Sequence, residues 1–171
     1  ENVVTGNPLL SEVAAVPGAS ELFDSSQIPG EIIDLMVVNT ATAEANPNFA
    51  KALTGAWYET LSIMHADDAA GKAARTAMAE ASATDLAGFD SQLKTTRMFW
   101  DAKDAVAFTQ SPKLVETMDH VRTFSNGKGL MGGDMNAVGI GFPGGQSLGD
   151  KDGIKLRFSD TYMKLAAEGA L

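Results

Sequence analysis

The sequence predicts an α/β protein, in which a small sheet is flanked by helices. Short apolar runs without helical periodicity occupy the first 40 residues, and polar turns containing glycine or proline separate them. Over most of residues 48–125, apolar side chains instead recur every three to four positions. Such a change of period is typical of a domain in which strands and helices share one core.

The N-terminal segment predicts three strands and one helix. Strands are expected at Asn2–Thr5, Glu21–Phe23 and Ile32–Asn39. The last run is apolar over Ile32–Val38 except for Asp34, as in a strand that is covered on both faces. Asn7-Pro8 predicts the start of the intervening helix, and Pro17-Gly18 predicts its end.

Three longer helices follow, at Asn48–His65, Ala69–Glu80 and Pro112–Ser125. In the first, Phe49, Leu53, Trp57 and Leu61 repeat at helical spacing and predict a buried stripe. Leu53→Ala or Trp57→Ala is therefore expected to cost about 2–5 kcal/mol of stability.

Polar residues predict where several helices begin. Asp101 and Ser111 each stand just before a helical pattern, where a side-chain oxygen accepts from unpaired backbone N–H groups. Asp67-Asp68 predict a helix with acids in its first turn, and Ser82-x-x-Asp85 predicts the start of another. Asn126-Gly127 predicts the left-handed residue that ends the helix after Ser111.

Residues 126–171 predict a loop-rich C-terminal extension. Glycine, aspartate and asparagine dominate from Gly127 to Asp152. After them, the alternation in Ile154–Phe158 predicts a short half-exposed strand, and Ser159 predicts the cap of a closing helix.

Composition excludes several classes of function. The chain has 171 residues and a formal net charge of −9 with scattered basic residues, so nucleic acid is not an expected partner. It has no cysteine, which excludes thiolate nucleophiles, cysteine-ligated zinc and iron–sulfur clusters. His65 and His120 lie far apart, and no serine stands in a nucleophile elbow. The sequence therefore predicts neither an enzyme nor a cofactor or metal. No segment reaches membrane-span length.

The first residue, Glu1, stands within what looks like a strand, with no initiator methionine or signal peptide. We expect the chain to be a piece of a longer protein.

Two polar loops are the candidate ligand-binding residues. Ser25, Ser26 and Gln27 offer hydroxyl and amide groups just before a Pro-Gly turn and an apolar run, so a scaffold would hold them rigidly. Alternatively, Asp24, Ser25 and Ser26 satisfy only turn hydrogen bonds. The second loop, Thr5-Gly6-Asn7, follows the first predicted strand.

Several segments resemble a known family. They are Val3–Leu9, Leu22–Ile32, Asn46–Tyr58 and the tail from Leu148–Lys151 to Leu156–Phe158. They resemble the nitrate/sulfonate/taurine-type solute-binding proteins of ABC importers, especially the members assigned as urea binders. The similarity covers essentially the whole chain, which would correspond to the C-terminal half of such a protein.

The resemblance implies part of a type II periplasmic-binding-protein fold, in which two lobes trap a small polar solute and deliver it to an ABC permease in the membrane. A crossing strand is then expected near residues 2–6, first-lobe strands within residues 21–39, and packing helices over residues 48–125. Thr5, Gly6 and Asn7 would line the cleft floor, and Ser25, Ser26 and Gln27 its rim. Gly6 stands where the family often has tryptophan, so one aromatic cleft residue would be absent.

The same resemblance implies a periplasmic location and a missing N-terminal half as a partner. Without that half, the uncovered sheet edge or Val3–Thr5 is expected to drive self-association. An alternative is an enzyme on the same fold that resembles the pyrimidine synthases of thiamine biosynthesis. Those enzymes use a cysteine-rich metal motif, which this chain lacks.

Overall fold

The computed structural model describes residues 2–171, which form a mixed α/β protein with a small three-stranded sheet flanked by helices. The helices are α1 (Leu9–Ala14), α2 (Thr40–Ala45), α3 (Pro47–His65), α4 (Ala69–Ala81), α5 (Leu86–Thr95), α6 (Ala102–Thr109), α7 (Pro112–Gly127) and α8 (Thr161–Ala167). The strands are β1 (Gly139–Gly141), β2 (Ser147–Leu148) and β3 (Ile154–Arg157). Short 3₁₀ turns occur at Ser25–Gln27, Met135–Ala137 and Pro143–Gly145.

The chain divides into two compact units. Residues 2–24 and Trp57–Trp100 form one unit, and residues 25–56 and 101–171 form the other. We call them the N-terminal unit and the sheet unit.

Polar side chains cap several of the described helices. The side chains of Asp68, Asp85, Asp101 and Ser111 each accept a hydrogen bond from a backbone N–H in the first turn of α4, α5, α6 and α7. The caps predicted at Asp101 and Ser111 are confirmed, as are the three long helices to within a few residues at their ends. Helix α5 begins after Asp85 rather than at Ser82. The predicted end of α7 at Asn126-Gly127 is too early, because Gly127 is still helical. The left-handed residue after the helix is Gly129, with φ +70°.

Arg75 connects three helices of the N-terminal unit. Its Nη1 donates to the carbonyl oxygens of Met64 and Ala66, at the end of α3, over 2.7 and 3.1 Å. Its Nε pairs with Asp90 of α5 at 2.9 Å. The guanidinium thus satisfies carbonyl groups that a helix end leaves unpaired. Nearby, the rings of His65 and Trp100 lie 4.5 Å apart.

The core of the sheet unit forms around the sheet. The strand order is β2-β1-β3, with β1 antiparallel to β2 and parallel to β3. Leu114 of α7 is buried against Ile140, Phe142 and Phe158, and the two phenylalanine rings stack with centroids 5.4 Å apart. The prediction of a strand within Ile154–Phe158 is confirmed. The C-terminal region, predicted to be a loop-rich extension, also supplies the sheet and much of the core of this unit.

The predicted strands at Asn2–Thr5, Glu21–Phe23 and Ile32–Asn39 are wrong. No described residue before Gly139 is in a strand. The side chains of Ile32 and Val37 are 70% and 72% exposed. An apolar run is stable as a strand only when neighbouring strands pair with its N–H and C=O groups, and none of the described residues does so here.

Helix α3 buries only part of the predicted stripe, which includes the buried Leu61. Ala50, Thr54 and Leu61 are buried, whereas Phe49 and Trp57 are 44% and 47% exposed. Apolar residues cover more than one side of this helix, so periodicity alone does not identify the packed side. Since Trp57 stays half exposed, a loss as large as 2–5 kcal/mol for Trp57→Ala is no longer expected.

Candidate functional site

The polar segment Ser25–Gln27 forms a 3₁₀ turn in the sheet unit, and all three residues are exposed. The Ile28 N–H donates to the Ser25 carbonyl at 3.2 Å, and the Glu31 N–H donates to the Ile28 carbonyl at 3.1 Å. Successive turns therefore fix the backbone while the hydroxyl and amide side chains stay accessible.

Gly30 fixes the end of this loop. Its φ is +88°, which favours glycine, and a methyl group at this position would lie 3.7 Å from the ring of Phe108 on α6. Phe108 packs against the core of the sheet unit. The loop is thus seated on α6, which agrees with the prediction that a rigid scaffold holds it.

Thr5, Gly6 and Asn7 lie in the N-terminal unit, directly before α1. Thr5 is half-buried, and the other two are exposed. The Gly6 carbonyl accepts from the Leu10 N–H at 2.9 Å, and Ser11 Oγ donates to Asn7 Oδ1, also at 2.9 Å. These bonds orient the Asn7 side chain and leave its NH₂ group as the available donor.

The structure thus brings each predicted set together within its own unit. Thr5, Gly6 and Asn7 adjoin the start of α1, and Ser25, Ser26 and Gln27 share one turn.

A pair of carboxyl groups, not among the predicted site residues, precedes the polar turn. A hydrogen bond with Asp24, together with the negative charge of Asp24, raises the pKa of Glu21 above its ordinary value. The three-residue spacing of the two acids was the available signal.

A groove between α6 and α8 was also missed. It has a volume of about 430 Å³ and is lined by Lys103, Val106, Ala107, Gln110, Lys164, Ala167 and Glu168. Beside it, Gln110 Nε2 donates to Asp160 Oδ2 at 2.6 Å, and Lys164 Nζ contacts the same oxygen at 2.9 Å. Burial alone would raise the pKa of Asp160, but the hydrogen bonds and the charge of Lys164 hold it below its ordinary value. This network fastens α8 to α6.

Within residues 2–171, no group of three or more His, Cys, Asp or Glu side chains could hold a metal ion. None of the described helices is both long and apolar enough to cross a membrane. No protein-family model, curated protein or solved structure matches the chain.

Proposed function

We propose that this chain is part of the extracytoplasmic solute-binding component of an ABC importer of the nitrate/sulfonate/taurine type. In this proposal it supplies the C-terminal half of a two-lobed periplasmic protein that captures a small polar solute and delivers it to a membrane permease. The observation that carries it is the segment Leu22–Ile32, whose residues resemble that family and fold into a backbone-fixed turn with exposed polar side chains.

The chemistry of the two polar sets supports binding of a small hydrogen-bonding solute. Ser25 and Ser26 can donate and accept, Gln27 can do both through its amide, and Asn7 has a donor left over. A solute that binds such a group must replace the hydrogen bond to water that the group loses, because a buried polar group without a partner costs about 1–3 kcal/mol. The protein would then select the solute whose donors and acceptors match those of these side chains.

Enclosure requires contacts from two sides, as in hinge closure around a ligand. The N-terminal half of the protein is the proposed source of the remaining contacts. We therefore expect the chain alone to bind solute weakly or not at all.

Native mass spectrometry of the full-length protein tests the proposal by identifying a co-purified solute. Calorimetry with that solute should then show that Ser26→Ala and Gln27→Ala each lose about 1–3 kcal/mol of binding. Ser91→Ala, which removes an exposed hydroxyl from α5, is the matched control and should bind as the wild type does.

Two results would contradict the proposal. One is wild-type affinity in both loop variants. The other is the absence of any co-purified solute together with no binding of nitrate, taurine or urea.

A further inference from the structure

The apolar segment Ile32–Val38 lies at the surface of the sheet unit. Its residues Ile32, Leu35, Met36 and Val37 are between 45% and 72% exposed. Ile33 alone is packed against the core cluster around Leu114. The segment is thus anchored at Ile33, and Val38 is half-buried, while the other four apolar side chains face water. Contiguous exposed apolar residues mark interaction surfaces.

Strand β3 offers a matching edge in the same unit. It pairs with β1 alone and forms one edge of the sheet, so its other side can accept an added strand. Ile154 and Leu156 are half-buried, whereas Lys155 and Arg157 are exposed. Neither basic side chain forms an ion pair with any described residue.

The side-chain pattern of the segment complements this edge. Alternate residues of a strand point to opposite faces of a sheet. If Ile33 and Leu35 lie on the face of Leu156, then Asp34 lies on the face of Lys155 and Arg157. Asp34, like the two basic residues, makes no ion pair within the part of the chain that the structure describes. Pairing would join apolar side chains on one face and place Asp34 beside the two basic residues on the other, where Ile32 and Met36 also lie.

We propose that the apolar segment docks on the β3 edge of a second copy of this chain. The charge complementarity between Asp34 and the basic residues of β3 identifies the partner, because one chain carries both halves of the contact and leaves them unpaired with each other. A two-fold axis then places each segment on the other copy's β3 edge, which gives two identical contacts per dimer. The inference does not depend on the proposed transport function.

Sedimentation velocity from micromolar to millimolar concentration should show a reversible dimer of the chain. Asp34→Lys should weaken dimerisation on the order of tenfold, since both symmetric contacts then bring like charges together. Lys155→Asp combined with Arg157→Asp should weaken it similarly. Combining all three substitutions should restore much of the affinity, a recovery that general unfolding would not produce.

A matched pair of variants separates this surface from nonspecific association. Val37→Lys should abolish the dimer, whereas Val16→Lys, which replaces a side chain that is 56% exposed elsewhere, should leave it unchanged. A monomer at every concentration would overturn the inference. So would a dimer that is insensitive to the charge reversals, or equal weakening by Val37→Lys and Val16→Lys.

Discussion

Leu114→Ala is the substitution that best tests the core of the sheet unit. Leu114 is 2% exposed and packs against Ile140, Phe142 and Phe158. These partners belong to β1 and to the segments that follow β1 and β3, while Leu114 belongs to α7. Because several elements bound the space that the side chain fills, no single local movement can close it after truncation.

The expected loss follows from this burial. Leucine to alanine removes three carbon atoms, and burial of each stabilises the fold by about 0.8 kcal/mol, or about 2.4 kcal/mol together. The remaining cavity adds a further cost, which gives an expected total of about 3–5 kcal/mol. Leu130 is 71% exposed, so Leu130→Ala should change the free energy of unfolding by less than about 0.5 kcal/mol.

Urea-induced unfolding followed by circular dichroism measures both values. We expect a large loss of unfolding free energy for Leu114→Ala. The slope of that free energy against urea concentration should change little. A loss below about 1 kcal/mol, or equal losses for the two variants, would refute the assignment of this core.

Three further substitutions test individual contacts. Gly149→Ala should lower the free energy of unfolding in urea by more than about 2 kcal/mol, because φ at Gly149 is +69° and an added methyl group would meet the carbonyl oxygen of Val138. Its control is Gly144→Ala, where φ is +80° but the surroundings are open, and the expected loss is only about 1 kcal/mol. Arg75→Ala should cost about 2–4 kcal/mol, since two carbonyls and a carboxylate lose their donor, and an unchanged midpoint would contradict this. The pKa of Asp160 is lower in the folded chain than in the unfolded chain, where a carboxyl of this type has a pKa of about 3.9. The ionised carboxylate therefore stabilises the fold fully above the unfolded pKa. This stabilisation is lost as the pH falls through the folded pKa. Thermal unfolding of Asp160→Asn should therefore vary less with pH below about 4, and an unaltered profile would count against the network.

Helix starts could be predicted because their causes are local. At Ser111, one hydroxyl and the following proline determine where α7 begins, and the structure shows the expected hydrogen bond to the Lys113 N–H at 3.2 Å. The packed side of α3 was not predictable in this way. It depends on which neighbouring helices approach Ala50 and Leu61.

Strands depend on partners that are distant in the sequence. Ile32–Val38 has the composition of a buried strand, yet no described strand pairs with it. Gly139–Gly141 carries a single apolar side chain, yet it is the central strand of the sheet. The turn Phe142-Pro143-Gly144-Gly145 between Ile140 and Leu148 was the available sign of a hairpin, and the surrounding glycines obscured it.

The conformation of one candidate loop was predictable in part. The polar loop before the Pro-Gly turn was identified from residue types alone, and the structure shows it as a fixed, exposed turn. The contact between Gln110 and Asp160 joins residues 50 positions apart, so no local pattern indicates it.

Hydrogen–deuterium exchange of the full-length protein, with and without its co-purified solute, tests the proposed function most directly. Nitrate, taurine and urea serve in turn as probes if no solute is recovered. We expect one solute to slow exchange at residues 5–7 and at residues 25–28, because the proposal assigns both polar sets to solute binding. Protection confined to other segments, or unchanged exchange at both sets with a bound solute, would contradict the account.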